Sequence, residues 1–251
     1  MSGWRRPVWW TVALTVAAMV LFARLGVWQL DRAAYKESLL RRYAAAATAP
    51  AQPFASVAAH PAPSSYPRVQ LDGAYLTDRV YLLDNPKHDR RGGVEVYVPL
   101  RPHADDHRLL LVDMGFLPGS GSDQSPELPP LPRGPVSLHG LYLPPPGAGF
   151  EMGGDALDRQ TTWPKKTIYL DLAQVAADLQ QPLYPRVLAL DAEPASPYQR
   201  HAQVDFSSMP PARHRAYAFQ WFSFAAAVAV LFVILHRKRR PRSSNESEPT
   251  P

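Results

Sequence analysis

The sequence predicts a membrane protein in which two transmembrane α-helices flank a β-rich extracytoplasmic domain that is antiparallel, barrel-like and of the α+β class. Three observations lead to this fold class. An apolar run lies near each end of the 251-residue chain, and each run approaches the roughly 20 residues that span a bilayer. Short alternating segments separated by turn residues fill the region between the runs. Basic residues precede the first run and follow the second, which places both termini in the cytoplasm.

The basic character of the chain comes from its two ends. The formal net charge is +5. It is carried by Arg5, Arg6 and the tail after Leu235, since residues 7–235 hold 20 basic and 20 acidic side chains. The charge therefore reflects membrane topology, and nucleic acid is excluded as a partner. The chain has no cysteine, which excludes disulfides, thiolate metal sites and a cysteine nucleophile.

The first apolar run predicts a membrane anchor. Residues 1–7 are the expected cytoplasmic N-terminus, and residues 8–30 are the expected first transmembrane helix. No small-x-small cleavage motif precedes a mature start, so an uncleaved anchor is favoured over a signal peptide. Trp28 falls at the outer interface, where aromatic residues are enriched, and Arg24 lies close enough to that interface to extend to the headgroups.

Residues 31–216 form the expected extracytoplasmic domain. Helical spacing over 33–47 predicts that the first helix continues out of the membrane, and five prolines in 48–67 predict a linker without regular structure. One short internal helix is predicted at 172–179. Alternation and β-branched residues predict strands at 68–75, 79–83, 94–100, 108–116, 136–143, 167–170 and 186–190. Many short strands with a single helix favour a closed or nearly closed antiparallel barrel, which leaves no exposed sheet edge.

The second apolar run, residues 217–235, is the expected second transmembrane helix, and residues 236–251 are its basic cytoplasmic tail. At the outer end of this helix, His214, Tyr217 and Trp221 are spaced i, i+3 and i+7. Side chains at this spacing share one helical face. Polar and ionisable residues at membrane depth are costly and usually functional, so this face is the candidate site.

Two interpretations of the candidate face are open. Gln220 lies beside it, and Trp28 and Gln29 of the first helix are expected at the same depth. Imidazole is a good ligand for haem iron, and aromatic side chains suit packing on a macrocycle, so one interpretation is a shared pocket with His214 as metal ligand. In the other, the aromatic residues form an interface belt and His214 faces the headgroups.

The region between the helices carries little that indicates chemistry. It has no nucleophile elbow, phosphate loop or H-E-x-x-H motif, so we do not expect an enzyme. His103 and His107 are four residues apart, but this spacing without further ligands is a weak indication of a metal site. The charged loop at 87–91 is a weaker candidate for an anion site than for a solvated surface.

Five short segments match, in order, the motifs of one known family. They are 25–32 (L-G-x-W-Q-L-x-R), 73–75 (G-x-Y), 82–85 (L-L-x-N), 93–100 (G-x-x-V-x-x-P-L) and 214–222 (H-x-x-Y-A-x-Q-W-F). With these segments the chain resembles the surfeit locus protein 1 (Shy1-type) family, membrane factors for cytochrome c oxidase assembly. The resemblance spans residues 25–235 and includes the two-anchor layout.

The resemblance implies an assembly role without catalysis. The expected function is that of a chaperone that assists haem a delivery or insertion into subunit I of the haem-copper cytochrome c oxidase. The expected partners are subunit I and its assembly intermediates, with the haem a synthesis machinery as a further candidate. The expected location is the bacterial plasma (inner) membrane, with the external domain in the periplasm.

The resemblance also implies a cofactor site. Bacterial members are thought to bind haem, typically haem a and transiently, through the membrane-proximal histidine, which is His214 here. The remaining roles are our hypothesis: Trp28, Tyr217 and Trp221 pack on the macrocycle, Gln29 and Gln220 lie alongside, and Arg24 or Arg32 pairs with a propionate. The alternative is a scaffold that stabilises oxidase assembly intermediates through its external domain and binds no haem. A two-helix sensor is disfavoured, because the cytoplasmic ends are too short for a signalling module.

Overall fold

The computed structural model describes residues 6–63, 65–84, 92–103, 107–119, 126–146, 157–200 and 209–237. The chain divides into two compact units, one made of residues 1–39 and 207–251 and the other of residues 40–206. The helices are α1 (Trp9–Thr48), α2 (Leu172–Leu179) and α3 (Pro211–His236). The strands are β1 (Gln52–Pro53), β2 (Arg68–Tyr75), β3 (Tyr81–Asp84), β4 (Gly93–Pro102), β5 (Leu109–Pro118), β6 (Pro135–Leu143), β7 (Lys165–Thr167) and β8 (Leu183–Leu190).

The first unit contains α3 and most of α1. Both α1 and α3 are long and apolar enough to cross a membrane, which confirms the two predicted transmembrane helices. α1 has 40 residues and is therefore about 60 Å long, twice the thickness of a hydrocarbon core. The predicted continuation of the first helix through residues 33–47 is thus confirmed. α3 begins with Pro211 in its first turn, where a missing N–H leaves no hydrogen bond unmade.

The second unit is a barrel-like β domain, as predicted. Strands β2, β6, β8, β5 and β4 pair in that order, and β4 pairs back onto β2 to close the ring. Gly73 lies at this closure, where a Cβ atom would come within 2.6 Å of the carbonyl oxygen of Arg101. The backbones of β2 and β4 can approach this closely because the residue is glycine. Strands β3 and β7 extend the sheet from β4, and β1 lies beside β2.

Two hydrophobic clusters cover the two faces of the sheet. Alternate residues of β4 such as Val96 and Val98 belong to the cluster inside the ring, while Tyr97 between them belongs to the cluster outside. The outer cluster is covered by α2, whose Val175 is fully buried. Asp171 caps this helix by accepting a hydrogen bond from the backbone N–H of Ala173 at 2.8 Å, which satisfies one of its free donors.

Three sheet pairings differ from the predicted antiparallel arrangement, since β1–β2, β3–β7 and β5–β8 are parallel. A parallel pair needs a long crossover, and the chain between β5 and β8 provides one that contains α2. The strand predicted at 167–170 is wrong for most of its length, because β7 ends at Thr167. There the Thr167 hydroxyl donates to the carbonyl oxygen of Tyr169, 2.6 Å away, and this local turn replaces the ladder.

The prediction of a linker without regular structure at 48–67 is also wrong in part. Residues 52–53 form β1, and a 3₁₀ turn follows at Phe54–Ser56. Phe54 is buried in the inner cluster and meets the ring of Tyr142 edge-on, with 5.4 Å between centroids. Arg186 holds the end of the segment by donating to the carbonyl oxygens of Ala62 and Ser65. Proline-rich composition does not prevent order when an aromatic anchor is buried.

Candidate functional site

The two long helices pack together through small and aromatic residues. Gly26 of α1 is buried, and a Cβ atom there would lie 2.7 Å from the Phe222 ring of α3. Further along, the Trp221 ring stacks on Phe22 with 5.8 Å between centroids and 23° between planes. Ala218, about one helical turn before Trp221 and Phe222 on α3, is almost completely buried. Small residues of this kind let membrane helices approach closely.

His214 lies between these helices and contacts Gln29. The side chain of His214 is only 7% exposed, and its Nδ1 atom is 2.6 Å from Oε1 of Gln29. The Nε2 atom of the same ring is buried and has no hydrogen-bond partner among the described residues. Within the described parts of the chain, Tyr75 Oη is the other buried side-chain polar atom without a hydrogen-bond partner. An unpaired buried acceptor costs about 1–3 kcal/mol, so His214 Nε2 calls for an explanation.

Two polar contacts join the helices on the side of His214 away from the apolar spans. The Lys36 ammonium donates to the carbonyl oxygen of Met209 at 2.7 Å, and Arg215 forms an ion pair with Glu37. Lys36 is one helical repeat of seven residues beyond Gln29, so both side chains lie on the face of α1 that meets α3. These contacts fix the register that brings Gln29 opposite His214.

The structure brings together three of the residues predicted for the site and leaves the others exposed on the helix surfaces. His214, Gln29 and Trp221 lie between α1 and α3. Trp28 is 56% exposed and Tyr217 is 40% exposed. The remaining predicted residues are also exposed: Gln220, Arg24 and Arg32. The site roles of all eight residues stay predictions.

Sequence reasoning missed two contributors to the helix contact. Phe22 packs on Trp221, and Glu37 pairs with Arg215. Phe22 lies seven residues before Gln29 on α1, so the spacing that links Gln29 to Lys36 points to it as well. The sequence gives no comparable signal for Glu37, because an acidic residue on the polar face of a helix is ordinary.

Other candidate sites receive no support from the described structure. Among the described residues, no group of three or more His, Cys, Asp or Glu side chains is placed to hold a metal ion. The segment between His103 and His107 lies outside the described residues, as does the predicted anion loop at 87–91.

The β domain buries charged groups, but these groups satisfy one another. Lys165 and Asp178 form a buried ion pair, and the Tyr81 hydroxyl donates to the same carboxylate at 2.8 Å. A second cluster lies on the adjacent strands β4 and β5. There, burial raises the pKa of Glu95 to about 9, and the carboxylate of Asp113 adds to this effect. Burial also raises the pKa of Asp113, to about 6. Because they pair internally, we interpret both clusters as structural.

Comparison with known proteins identifies the family of this chain. The profile of the SURF1 family matches residues 16–226, a range that includes the helix contact at His214 and the β domain. A SURF1-like protein of Monosiga brevicollis is 25% identical over 249 residues, which cover 94% of this chain and 91% of that protein. The chain therefore belongs to the SURF1 family, which is linked to the assembly of cytochrome c oxidase.

Proposed function

We propose that this protein assists the delivery or insertion of haem a into subunit I of cytochrome c oxidase, as a membrane-bound carrier without catalytic activity. The observation that carries the proposal is the buried His214 between α1 and α3, whose Nε2 atom has no partner among the described residues. Family membership supplies the link to oxidase assembly. The scaffold alternative accounts for that membership but not for the unpaired nitrogen.

The residues present fit haem iron as a bound cargo. A neutral imidazole nitrogen is a common axial ligand of haem iron, and His214 offers Nε2 for this role. Because Nε2 is buried, ligation requires a neighbouring side chain to move. The ligand bond then replaces an unsatisfied buried acceptor, which offsets part of the cost of that movement. Haem binding that depends on such a rearrangement is suited to a cargo that is bound transiently.

Exposed residues near this end of the helices supply the other proposed contacts. Trp28 and Tyr217 present aromatic surface outside the helix contact, where a planar macrocycle can pack. The guanidinium of Arg32 lies over the ring of Tyr35, 5.3 Å from its centroid. This exposed cation and Arg24 are the proposed partners of haem propionates, because guanidinium and carboxylate form charge-assisted hydrogen bonds.

We further propose that the protein lies in the bacterial inner membrane with both termini in the cytoplasm and the β domain in the periplasm. The basic residues at both ends support this orientation. The absence of cysteine from the chain allows a direct test with single-cysteine variants. In spheroplasts, a membrane-impermeant maleimide should label Ala195→Cys, which replaces an exposed residue, and should not label Ser244→Cys until the membrane is opened. The reverse pattern contradicts the orientation.

The proposed function is tested by oxidase maturation. In cells that lack this protein, we compare variants for the haem a content of purified oxidase subunit I at equal levels of the expressed variant. His214→Ala should fail to restore haem a, whereas His236→Ala, at the opposite end of α3, should restore it. Equal restoration by both variants refutes the role of His214. An absorbance spectrum of the purified protein separates carrier from scaffold, because a scaffold shows no Soret band.

A further inference from the structure

We infer that Gln29 is a positioning residue that fixes the tautomer of His214 and so leaves Nε2 as the ligating nitrogen. The inference rests on the proposed function for its biological meaning, but its structural basis is independent of haem. It follows from the 2.6 Å contact between His214 Nδ1 and Gln29 Oε1 and from the unpartnered Nε2. Gln29 is thereby assigned to the histidine and not to the macrocycle.

The chemistry of the two groups sets the direction of the hydrogen bond. An amide oxygen only accepts hydrogen bonds, so the Nδ1 atom opposite it carries the proton and donates. A neutral imidazole has one N–H, and the other nitrogen then carries a free lone pair. Nε2 of His214 is therefore unprotonated whenever the ring is neutral and this contact is made. That is the state in which imidazole binds iron.

The buried location of His214 and Gln29 favours the hydrogen bond between them. Gln29 is half-buried and His214 is buried between two apolar helices. A polar group in such surroundings has few alternative partners, and leaving it unpaired is costly. The contact between Lys36 and Met209 and the close approach at Gly26 hold the helices in this register. The Gln29 amide is therefore already in place before a ligand binds.

A partner at Nδ1 also changes how well Nε2 binds. Histidine ligands commonly donate their other N–H to a carbonyl or carboxylate, which orients the ring and raises ligand basicity. Removal of such a partner lowers metal affinity by about 10–100-fold. A carboxylate at position 29 accepts a hydrogen bond more strongly than an amide does. Gln29→Glu should therefore preserve the effect, and Gln29→Leu should abolish it.

The first test uses the full-length protein without haem. Protein carrying ¹⁵N-labelled histidine is placed in detergent micelles at a pH about two units above the ordinary imidazole pKa of about 6.5, so that the rings are neutral. Long-range ¹H–¹⁵N spectra then report which nitrogen carries the proton, and the His214 signal is assigned by its loss in His214→Ala. We expect the Nδ1–H form in the wild type and in Gln29→Glu, and a shift towards Nε2–H in Gln29→Leu.

A control on α3 is Ser223→Leu, which replaces an exposed residue outside the proposed site and should leave the tautomer unchanged. The inference is overturned if wild-type His214 is in the Nε2–H form, as it is when the Gln29 amide group is rotated by half a turn. It is also overturned if Gln29→Leu keeps the Nδ1–H form.

The second test measures affinity for added haem by absorbance titration. Gln29→Leu should bind about 10–100-fold more weakly than the wild type, and Gln29→Glu should recover most of the loss. If the wild type binds no haem, the proposed function fails while the tautomer result still decides the positioning role. If the wild type binds haem and Gln29→Leu binds it equally well, the positioning role fails while the carrier function stands.

Discussion

Replacement of Asp178 should show how strongly the β domain depends on its buried ion pair. The Asp178 and Lys165 side chains are each about 9% exposed. Besides the carboxylate, the ammonium of Lys165 contacts the carbonyl oxygen of Leu157 at 3.2 Å and the ring face of Trp163, whose centroid is 5.1 Å away. Asp178→Ala leaves these two contacts as the remaining compensation for a buried charge, and it removes the acceptor of the Tyr81 hydroxyl.

The expected loss in free energy of unfolding follows from these contacts. Breaking a buried pair by removal of one partner costs about 3–5 kcal/mol, and the stranded hydroxyl of Tyr81 adds about 1 kcal/mol or more. We therefore expect Asp178→Ala to lower the free energy of unfolding by about 4–6 kcal/mol, a large part of the 5–15 kcal/mol typical of a domain. The double variant Lys165→Met with Asp178→Leu removes both charges, so it should stay within about 2 kcal/mol of the wild type.

The assay is urea unfolding of the full chain in detergent. Trp163 is the single tryptophan between residues 40 and 206, and it packs edge-on against Tyr81 with 5.1 Å between centroids. In a background in which the other five tryptophans are replaced by phenylalanine, the fluorescence of Trp163 reports this region. Asp158→Ala, at an exposed position, is the control and should change the free energy of unfolding by less than about 0.5 kcal/mol. A loss below about 1 kcal/mol for Asp178→Ala, or a double variant as unstable as the single one, refutes the reasoning.

Three further predictions concern pH, helix packing and the ordered proline-rich segment. The raised pKa of Glu95, about 9 in the fold against 4.5 normally, means that the folded state keeps a proton that the unfolded state releases. The free energy of unfolding should therefore fall between these pH values, by at most about 1.4 kcal/mol per pH unit, and Glu95→Gln should flatten this fall in urea titrations. Gly26→Val should overpack the ring of Phe222 and lower stability by about 1–3 kcal/mol, and a second change, Phe222→Ala, should recover part of the loss in thermal unfolding. Arg186→Met should remove the charged donor that holds the carbonyl oxygens of Ala62 and Ser65, and it should make the segment after α1 sensitive to limited proteolysis. The absence of new cleavage there would contradict this role of Arg186.

Much of the fold was predictable because local patterns agree with it. β2 and α2 have the predicted bounds. In β2, alternation buries Val69 and Leu71, and Asp171 marks the start of α2 as a capping residue. Parallel pairing of β5 with β8 was not predictable, because it depends on contacts between residues about 75 positions apart, which no local pattern encodes.

The ordered segment after α1 was missed for a related reason. Its composition is that of a linker, and its order comes from Phe54 in the inner cluster and from Arg186, more than 120 residues away. Two isolated aromatic residues, Phe54 and Tyr66, among prolines and alanines give no periodic signal. Tertiary contacts alone decide that this segment is folded.

The sequence predicted which residues belong to the helix contact better than it predicted how they are arranged. Spacing placed His214 and Trp221 on one face, and both do lie towards α1. The same spacing included Tyr217, which is exposed. A helix that is apolar on every side has no polar face to show which stripe meets its neighbour. The contact between His214 and Gln29 required the register of two helices that are far apart in sequence.

The most direct test of the central claim is the haem content of the purified protein. Wild-type protein and His214→Ala are isolated in equal amounts from cells that make haem a, and their Soret absorbance per mole of protein is compared. We predict a Soret band in the wild type that is lost in His214→Ala and kept in His236→Ala. An undiminished band in His214→Ala, or no band in the wild type, contradicts the claim that His214 holds haem for the oxidase.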